Sequence, residues 1–251
     1  MNRNISRRLT EFTALTFDCY GTLIDWEAGI WDAFQPLIAA NGRDDITREM
    51  MLEAFAGCES RQETIAPGMI YPEVLTRVHA AVAQRFDMNS SHNLDLEFGN
   101  SLPQWPAFPD TADALRYLKK HFKLVILSNV HRDGFAASNR KLGVEFDAVY
   151  TAEDIGAYKP SPENFEYLIT HLGSDLEIRR QGVLHTAQSL FHDHVPAQSM
   201  GLATAWIDRQ RLSESGSWGA TAKLEKRPDT DYLFHSIGEM AGAVAAEAGQ
   251  D

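Results

Sequence analysis

Hydrophobic and polar residues follow two different spacings along this chain. Short apolar runs rich in β-branched residues predict strands at "TALTFD" (13–18), "KLVILSN" (123–129), "FDAVYTA" (146–152), "GVLHTA" (182–187) and "ATAWID" (203–208). Segments with helical spacing lie between consecutive strands, at 111–121, 135–143, 161–173 and 192–201. This alternation predicts an α/β protein with a doubly wound, Rossmann-like parallel sheet.

A block of helical spacing interrupts the alternation after the first strand. It contains three predicted helices: "WEAGIWDAFQPLIAAN", which ends before Gly42, "ITREMMLEAFAGCESRQETIA", and "YPEVLTRVHAAVAQRF", with Pro72 in its first turn. We therefore expect an α/β core domain formed by residues 1–24 and 105–251, and an inserted helical cap domain formed by residues 25–104. The stretch after Arg209 is polar and irregular, and "SIGEMAGAVAAEAG" predicts a closing helix.

Charge and composition narrow the class of function. The chain has 251 residues and a formal net charge of −12, which disfavours an extended surface for nucleic acid or anionic lipid. No apolar stretch is long enough to span a membrane, and two cysteines are too few for a disulfide framework. We expect a cytoplasmic protein that acts on a small-molecule substrate, with no membrane or nucleic-acid partner. The sequence is compatible with a homodimer and does not decide the oligomeric state.

Polar residues at the carboxyl ends of predicted strands carry the candidate chemistry, because ligands of open parallel sheets bind there. Asp18 ends the first strand, and a carboxylate held by the following turn can attack an electrophilic carbon or phosphorus. Ser128 and Asn129 end the second strand and offer hydroxyl and amide donors. Each of these residues alone is also typical of an ordinary turn or helix cap.

Lys159 and Asp193 complete the candidate set. Lys159 lies in "YKPSP", and a cation there would keep a nearby carboxylate ionised. Asp193 follows a predicted strand and could orient a water molecule or pair with Lys159. His185, His192 and His194 surround it in sequence. Residues 192 and 194 lie about 200° apart on a helix, however, so we do not expect a histidine metal site.

Taken in order, these residues resemble the four motifs of the haloacid dehalogenase superfamily of hydrolases. "FDCYGTL" resembles the first motif with Asp18 as the nucleophile, and "LVILSN" resembles the second with Ser128. "YKPSP" resembles the third with Lys159, and "AQSLFHD" resembles the fourth with Asp193. The resemblance covers essentially the whole chain and implies that the helical block is a mobile cap.

The residue two positions after the nucleophile points to one branch of this superfamily. Phosphatase members carry a second aspartate there as a general acid, whereas Tyr20 in this chain resembles the 2-haloacid dehalogenase branch, in which a halide leaves and needs no proton donor. Gln188 takes the first position of the fourth motif and is a poor Mg²⁺ ligand, so we expect no metal and no other cofactor. The resemblance implies that Tyr20, Thr22, Ser128 and Asn129 contact the substrate.

The chain departs from this branch at the substrate end of the site. Dehalogenases of the branch bring a cap arginine onto the substrate or halide, but the corresponding turn of "REMMLEAFAGCES" has none, and Arg61 is the nearest candidate. Phe165 takes the place of the tyrosine that usually follows the lysine of the third motif.

Three functions remain open on this basis. The first is a metal-independent hydrolase in which Asp18 displaces halide from C2 of a short 2-haloalkanoate, Lys159 holds the charge and Asp193 helps water to attack the ester. The second is a Mg²⁺-dependent phosphatase or phosphonate hydrolase acting on a small phosphometabolite. The third is a protein that keeps the fold for binding or regulation and has little turnover.

Overall fold

The computed structural model describes residues 7–216, 218–219, 221 and 224–249, so the outer ends of the predicted core domain, residues 1–6 and 250–251, lie outside the described residues. Its strands are β1 (Ala14–Phe17), β2 (Lys123–Ser128), β3 (Ala148–Thr151), β4 (Val183–Ala187), β5 (Ala203–Ile207) and β6 (Tyr232–Phe234). They form a six-stranded parallel sheet in the order β3-β2-β1-β4-β5-β6. This order confirms the predicted doubly wound fold and places its switch point between β1 and β4.

Helices surround the sheet and fill the long connection after β1. They are α1 (Trp26–Asn41), α2 (Arg48–Ile65), α3 (Tyr71–Arg85), α4 (His92–Gly99), α5 (Thr111–Leu118), α6 (Arg132–Leu142), α7 (Ala152–Ile155), α8 (Pro162–Leu176), α9 (Val195–Ser199) and α10 (Ile237–Ala248). A π-helical turn, Leu190–His194, precedes α9. No helix among the described residues is long and apolar enough to cross a membrane.

The segment of residues 25–104, within the connection between β1 and β2, contains the four helices α1 to α4 rather than the predicted three. Its first helix, α1, ends as expected at Gly42, which adopts a left-handed conformation with φ of 62°. The additional helix, α4, has eight residues, and the Ser91 side chain caps it by accepting from Leu94 N. Its short, mostly polar sequence gives little periodic signal. The assignment of residues 25–104 to a separate domain stays a prediction, and we call this segment the cap.

The edge strand β6 was not predicted either. It has only three residues, and it follows the polar stretch after Arg209, which lacks the alternation of longer strands. Strand β6 pairs with β5 through Trp206 and Leu233, among others, and lies at the edge of the sheet farthest from β3.

The connector that returns from the cap to the sheet packs closely on α1. The ring of Trp105 lies over Gly29, where an added Cβ would be 2.2 Å from Trp105 Cγ. Trp105 is itself buried. A glycine is therefore required at position 29 for space rather than for a special backbone angle.

Candidate active site

The register of the sheet brings the predicted strand-end residues together. Phe17, the last residue of β1, pairs with Ile126 of β2 on one side and with Thr186 of β4 on the other. The residues that follow these positions therefore leave the sheet side by side at its carboxyl edge. Asp18, Ser128 and the fourth-motif loop meet there, as the sequence predicts.

Lys159 joins the two catalytic carboxylates predicted from the sequence. Its Nζ donates to Asp18 Oδ1 at 2.8 Å, to Asp193 Oδ1 at 2.7 Å and to the carbonyl oxygen of Leu127 at 3.1 Å. The residues Asp18, Lys159 and Asp193 are only 7%, 2% and 1% exposed. The three N–H groups of the ammonium are thus all engaged, and two carboxylates share one buried cation.

The pKa values of the two carboxyls that share this ammonium shift in opposite directions. Burial raises the pKa of Asp18, and the charge of Asp193 adds to the rise, while Lys159 and the Thr22 hydroxyl oppose it. Burial also disfavours the charged form of Asp193, but Lys159 and His185 outweigh it and hold the pKa of Asp193 well below its usual range. Burial alone would lower the pKa of Lys159, yet the two carboxylates raise it above its usual value.

Thr22 fixes the second oxygen of Asp18. Its Oγ1 donates to Asp18 Oδ2 at 2.7 Å and accepts from the backbone N–H of Gln188 at 2.9 Å. The hydroxyl proton is therefore committed to the carboxylate. With Lys159 on Oδ1, the Asp18 carboxylate is held at both oxygens in one orientation.

Asp193 is held by a second buried chain of hydrogen bonds. His185 Nε2 donates to Asp193 Oδ1 at 3.0 Å, since a carboxylate oxygen can only accept, and His185 Nδ1 lies 2.9 Å from Thr16 Oγ1. Thr16 and His185 are register partners on β1 and β4, which places their side chains next to each other. From the sequence, His185 is a candidate only as a metal ligand. Its position opposite Thr16 in the parallel register is the signal that indicates this supporting role.

Asn129 binds the backbone of Lys159. Its Oδ1 accepts from Lys159 N at 2.7 Å, and its Nδ2 donates to Lys159 O at 3.1 Å. Both ends of the amide are used, so Asn129 fixes the lysine loop, whereas the sequence predicts that it contacts the substrate. The neighbouring Tyr158 hydroxyl donates to Met69 O and links this loop to the cap.

Tyr20 presents its ring rather than its hydroxyl to the site. The hydroxyl lies 2.7 Å from Ser138 Oγ on α6, and the ring packs edge-on against Trp105 with centroids 5.6 Å apart. Burial raises the pKa of Tyr20 well above its usual value. Tyr20 therefore lines the cavity as an apolar wall and has no proton to give near Asp18.

A small cavity of about 70 Å³ opens above Asp18, between the sheet edge and the cap. Three buried polar atoms of its lining have no hydrogen-bond partner among the described residues: Ser128 Oγ, Asp193 Oδ2 and Trp26 Nε1. Unsatisfied buried polar atoms are uncommon, so these atoms indicate where a ligand or water belongs. Trp26 was not predicted as a site residue, because its indole reaches the cavity from the first turn of α1.

The cap contributes carboxyls to the cavity rather than the predicted arginine. Glu59 and Glu63 of α2 line it, whereas Arg61 is exposed and lies outside the lining. Residues four apart share a helix face, and position 61 points about 200° away from position 59. The buried residues Met51 and Phe55 of α2 have the same four-residue spacing. Extending that spacing to 59 and 63 is the signal that could have found the two glutamates.

Tyr71 of α3 holds one of these carboxyls, donating from its hydroxyl to Glu59 Oε1 at 2.6 Å. Burial raises the pKa of Glu59 to about 7, and burial together with the charge of Glu59 raises the pKa of Glu63 well above its usual value. Both side chains are half-buried and keep surface toward the cavity.

The three histidines of the fourth-motif region bind different partners. His185 bonds Asp193, His192 Nδ1 lies 3.1 Å from Ser189 Oγ, and His194 Nε2 lies 2.8 Å from Ala187 O. Burial lowers the pKa of His192 to about 4, so the imidazole at the cavity wall is neutral at pH 7.

The donor set at the cavity does not fit a magnesium ion. The Gln188 side chain turns toward Gln210 and Thr221, and both oxygens of Asp18 are already bonded. The described residues contain no group of three acidic, histidine or cysteine side chains placed to hold a metal. Among the described residues at the sheet end of the cavity, Asp193 Oδ2 is the one carboxylate oxygen without a partner, whereas Mg²⁺ requires near-octahedral oxygen coordination.

Solved structures of similar fold include two dehalogenases. The L-2-haloacid dehalogenase of Xanthobacter autotrophicus with chloropropionic acid covalently bound matches with a TM-score of 0.74 and 17% identity, over 93% of this chain and 98% of that chain. The defluorinating L-2-haloacid dehalogenase Rha0230 matches with a TM-score of 0.75 and 17% identity, over 95% of this chain and 98% of that chain. At this identity the similarity is one of fold.

A magnesium-bound structure shares the same fold. The putative hydrolase YfnB of Bacillus subtilis, bound to magnesium, matches with a TM-score of 0.72 and 18% identity, over 95% of this chain and 100% of that chain. No curated protein matches the chain by sequence. The family model for haloacid dehalogenase-like hydrolases matches residues 12–182, more than half of the chain and the segment that carries Asp18, Ser128 and Lys159. The chain therefore belongs to the haloacid dehalogenase-like hydrolases.

Proposed function

We propose that this hydrolase is metal-independent and uses Asp18 to displace halide from a carbon atom of a short organic halide. The observation that carries the proposal is the arrangement of Asp18 itself. Its two oxygens are fixed by Lys159 and Thr22, and it faces a cavity of about 70 Å³, large enough for a molecule of a few heavy atoms. A short 2-haloalkanoate, the substrate predicted from the sequence, is the reference compound.

The chemistry proceeds in two steps. One oxygen of Asp18 forms a bond to the substrate carbon while the carbon–halogen bond breaks, and the halide leaves with the bonding electrons. Water then attacks the carbonyl carbon of the resulting ester, the alkoxide leaves with one proton of the water, and Asp18 is restored with one oxygen from water. The balance is organic halide plus water giving alcohol, halide and a proton.

The unpartnered atoms of the cavity lining suit these two steps. Ser128 Oγ and Trp26 Nε1 are neutral donors that can solvate a departing halide. Asp193 Oδ2 is a free acceptor on a carboxylate whose other oxygen is fixed, so it can orient the attacking water. Lys159 compensates the charge of Asp193 throughout.

Isotope labelling tests the covalent step. With enzyme in excess over 2-chloropropionate in ¹⁸O-labelled water, one turnover should place the label in the Asp18 carboxylate, as measured by mass spectrometry of the peptide that contains it. Label found only in the product alcohol would show direct attack by water and would sink the proposal. The Asp18→Asn variant serves as the control and should release no halide in the same assay.

The alternative functions are separated by their requirement for metal and for Asp18. We expect halide release that is unchanged by a chelator, and no appreciable phosphate release on addition of Mg²⁺ across a panel of small phosphate esters and phosphonates. Magnesium-dependent phosphate release without halide release would favour a phosphatase or phosphonate hydrolase. Release of neither product, with an Asp18→Asn variant that still performs the cellular role, would favour a binding or regulatory protein.

A further inference from the structure

The cavity has two ends of different chemistry. At the sheet end, Asp18, Lys159 and Asp193 form the bonded group described above. At the cap end, Glu59 and Glu63 present two carboxyls one helical turn apart on the same face of α2. A substrate whose reacting carbon lies at Asp18 therefore places its remaining group near the two glutamates.

The described part of the cavity lining offers no free cation to a substrate carboxylate. Among the described residues that line the cavity, Lys159 is the only ammonium or guanidinium group, and its three N–H groups already bond Asp18, Asp193 and Leu127 O. The lining imidazole of His192 is neutral at pH 7 because burial lowers its pKa to about 4.

The two glutamates also disfavour an anion directly. With Asp18, Asp193, Glu59 and Glu63 all ionised, one ammonium would face four carboxylates around a cavity of about 70 Å³. Burial raises the pKa of both glutamates, and the charge of Glu59 adds to the rise at Glu63. A further carboxylate on the substrate would increase the repulsion, whereas an N–H donor would satisfy the glutamate oxygens.

We propose that the substrate presents a hydrogen-bond-donating nitrogen group to Glu59 and Glu63, either the amide of a short haloamide or the ammonium of a short haloamine. This inference rests on the proposed function, in which Asp18 displaces halide from carbon, and it replaces the 2-haloalkanoate by its nitrogen counterpart. The reaction is otherwise the same: the Asp18 ester forms as halide leaves, and water hydrolyses the ester to the alcohol.

Three short organic chlorides test the inference on the purified full-length chain. Halide release is measured for 2-chloropropionamide, 3-chloropropylamine and 2-chloropropionate, and each rate is divided by the rate of the same compound with acetate, because their intrinsic reactivities differ. We expect the normalised kcat/KM of the amide or the amine to exceed that of the carboxylate at least tenfold. A higher normalised kcat/KM for the amide indicates that the glutamates bind a neutral group, and a higher value for the amine indicates that they bind a cationic group.

Conservative variants connect this preference to the two glutamates. Glu59→Gln, Glu63→Gln and the double variant keep the size of the side chains and should reduce the preference for nitrogen compounds at least tenfold, with unchanged thermal melting as the check on folding. Glu49→Gln is the matched control, because Glu49 lies on the same helix but is exposed and outside the cavity lining. It should leave the preference unchanged.

The two proposals fail in different ways. Preferred turnover of 2-chloropropionate, or a preference for nitrogen compounds that survives the double variant, overturns the inference and leaves the proposed function standing. Absence of halide release from all three compounds, together with no ¹⁸O in Asp18, overturns the proposed function and the inference with it.

Discussion

Replacing Lys159 by methionine removes the ammonium that Asp18 and Asp193 share while keeping a side chain of similar length. All three side chains are almost fully buried, so water cannot take the place of the ammonium. Removing one partner of a buried ion pair leaves an uncompensated charge and costs about 3–5 kcal/mol. We expect Lys159→Met to lower the free energy of unfolding by this amount at pH 8.

The loss should be smaller at lower pH. Without the ammonium, burial raises the pKa of the two carboxyls, and one of them keeps a proton at pH values where an unfolded aspartate, with an ordinary pKa of about 4, has lost it. The folded variant then binds more protons than the unfolded chain, so its stability falls as the pH rises. For each additional bound proton, the free energy of unfolding of the variant falls by about 1.4 kcal/mol per pH unit. For one proton the fall is therefore about 2–3 kcal/mol between pH 5 and pH 7.

Urea denaturation at pH 5, 6, 7 and 8 measures this effect, with Lys141→Met as the matched control. Lys141 Nζ donates to the carbonyl oxygens of Pro103 and Trp105, so its removal leaves no carboxylate without a cation. The control should lose the same free energy of unfolding at every pH. An equal loss for Lys159→Met at pH 5 and pH 8 would refute the reasoning that the two carboxyls depend on the shared ammonium.

Two further substitutions test the packing and hydrogen bonding around the site. Thr22→Val leaves Asp18 Oδ2 and the buried N–H group of Gln188 without their partner. We expect the free energy of unfolding, measured by urea denaturation, to fall by about 1–3 kcal/mol and halide release to become slower. Thr22→Ser should restore both. Equal behaviour of the valine and serine variants would contradict the role of the hydroxyl. Gly29→Ala should destabilise the protein by about 1–3 kcal/mol because its Cβ would overlap Trp105, whereas Gly57→Ala, whose Cβ would meet only Arg85 at 3.7 Å, should gain up to about 1 kcal/mol. Equal effects at positions 29 and 57 would contradict the packing argument.

Two residues at the sheet end of the site, Asp18 and Ser128, could be predicted from local pattern and sheet topology. Asp18 follows β1 and Ser128 ends β2, and parallel strands end at the same edge, so their proximity needs no knowledge of distant packing. Lys159 required the motif resemblance, since nothing in its own neighbourhood requires a buried lysine. The contacts of Asn129 and Tyr20 were less predictable, because a loop position does not determine which way an amide or a hydroxyl points.

Which cap residues face the cavity depends on the rotation of α2 about its axis. Arg61, Glu59 and Glu63 are all charged, and the polar end of α2 carries no apolar stripe to show which of them faces inward. The direction is set upstream, where Met51 and Phe55 are buried against the rest of the cap. The family resemblance favours an arginine, whereas the four-residue spacing of the buried residues Met51 and Phe55 leads to the two glutamates.

The charge balance of the cavity also separates carbon from phosphorus chemistry. A phosphate monoester would bring up to two negative charges into the cavity. Among the described residues of its lining, the only ammonium is fully bonded and four carboxyl groups are present. A neutral or cationic organic halide enters without that repulsion, and its negative charge develops only on the departing halide, where the neutral donors of Ser128 and Trp26 have no other partner among the described residues. In the proposed reaction, the ammonium of Lys159 holds two carboxylates side by side, one as nucleophile and one to orient water, and does not bind the substrate. A site built in this way favours a substrate that arrives without negative charge and loses an anion.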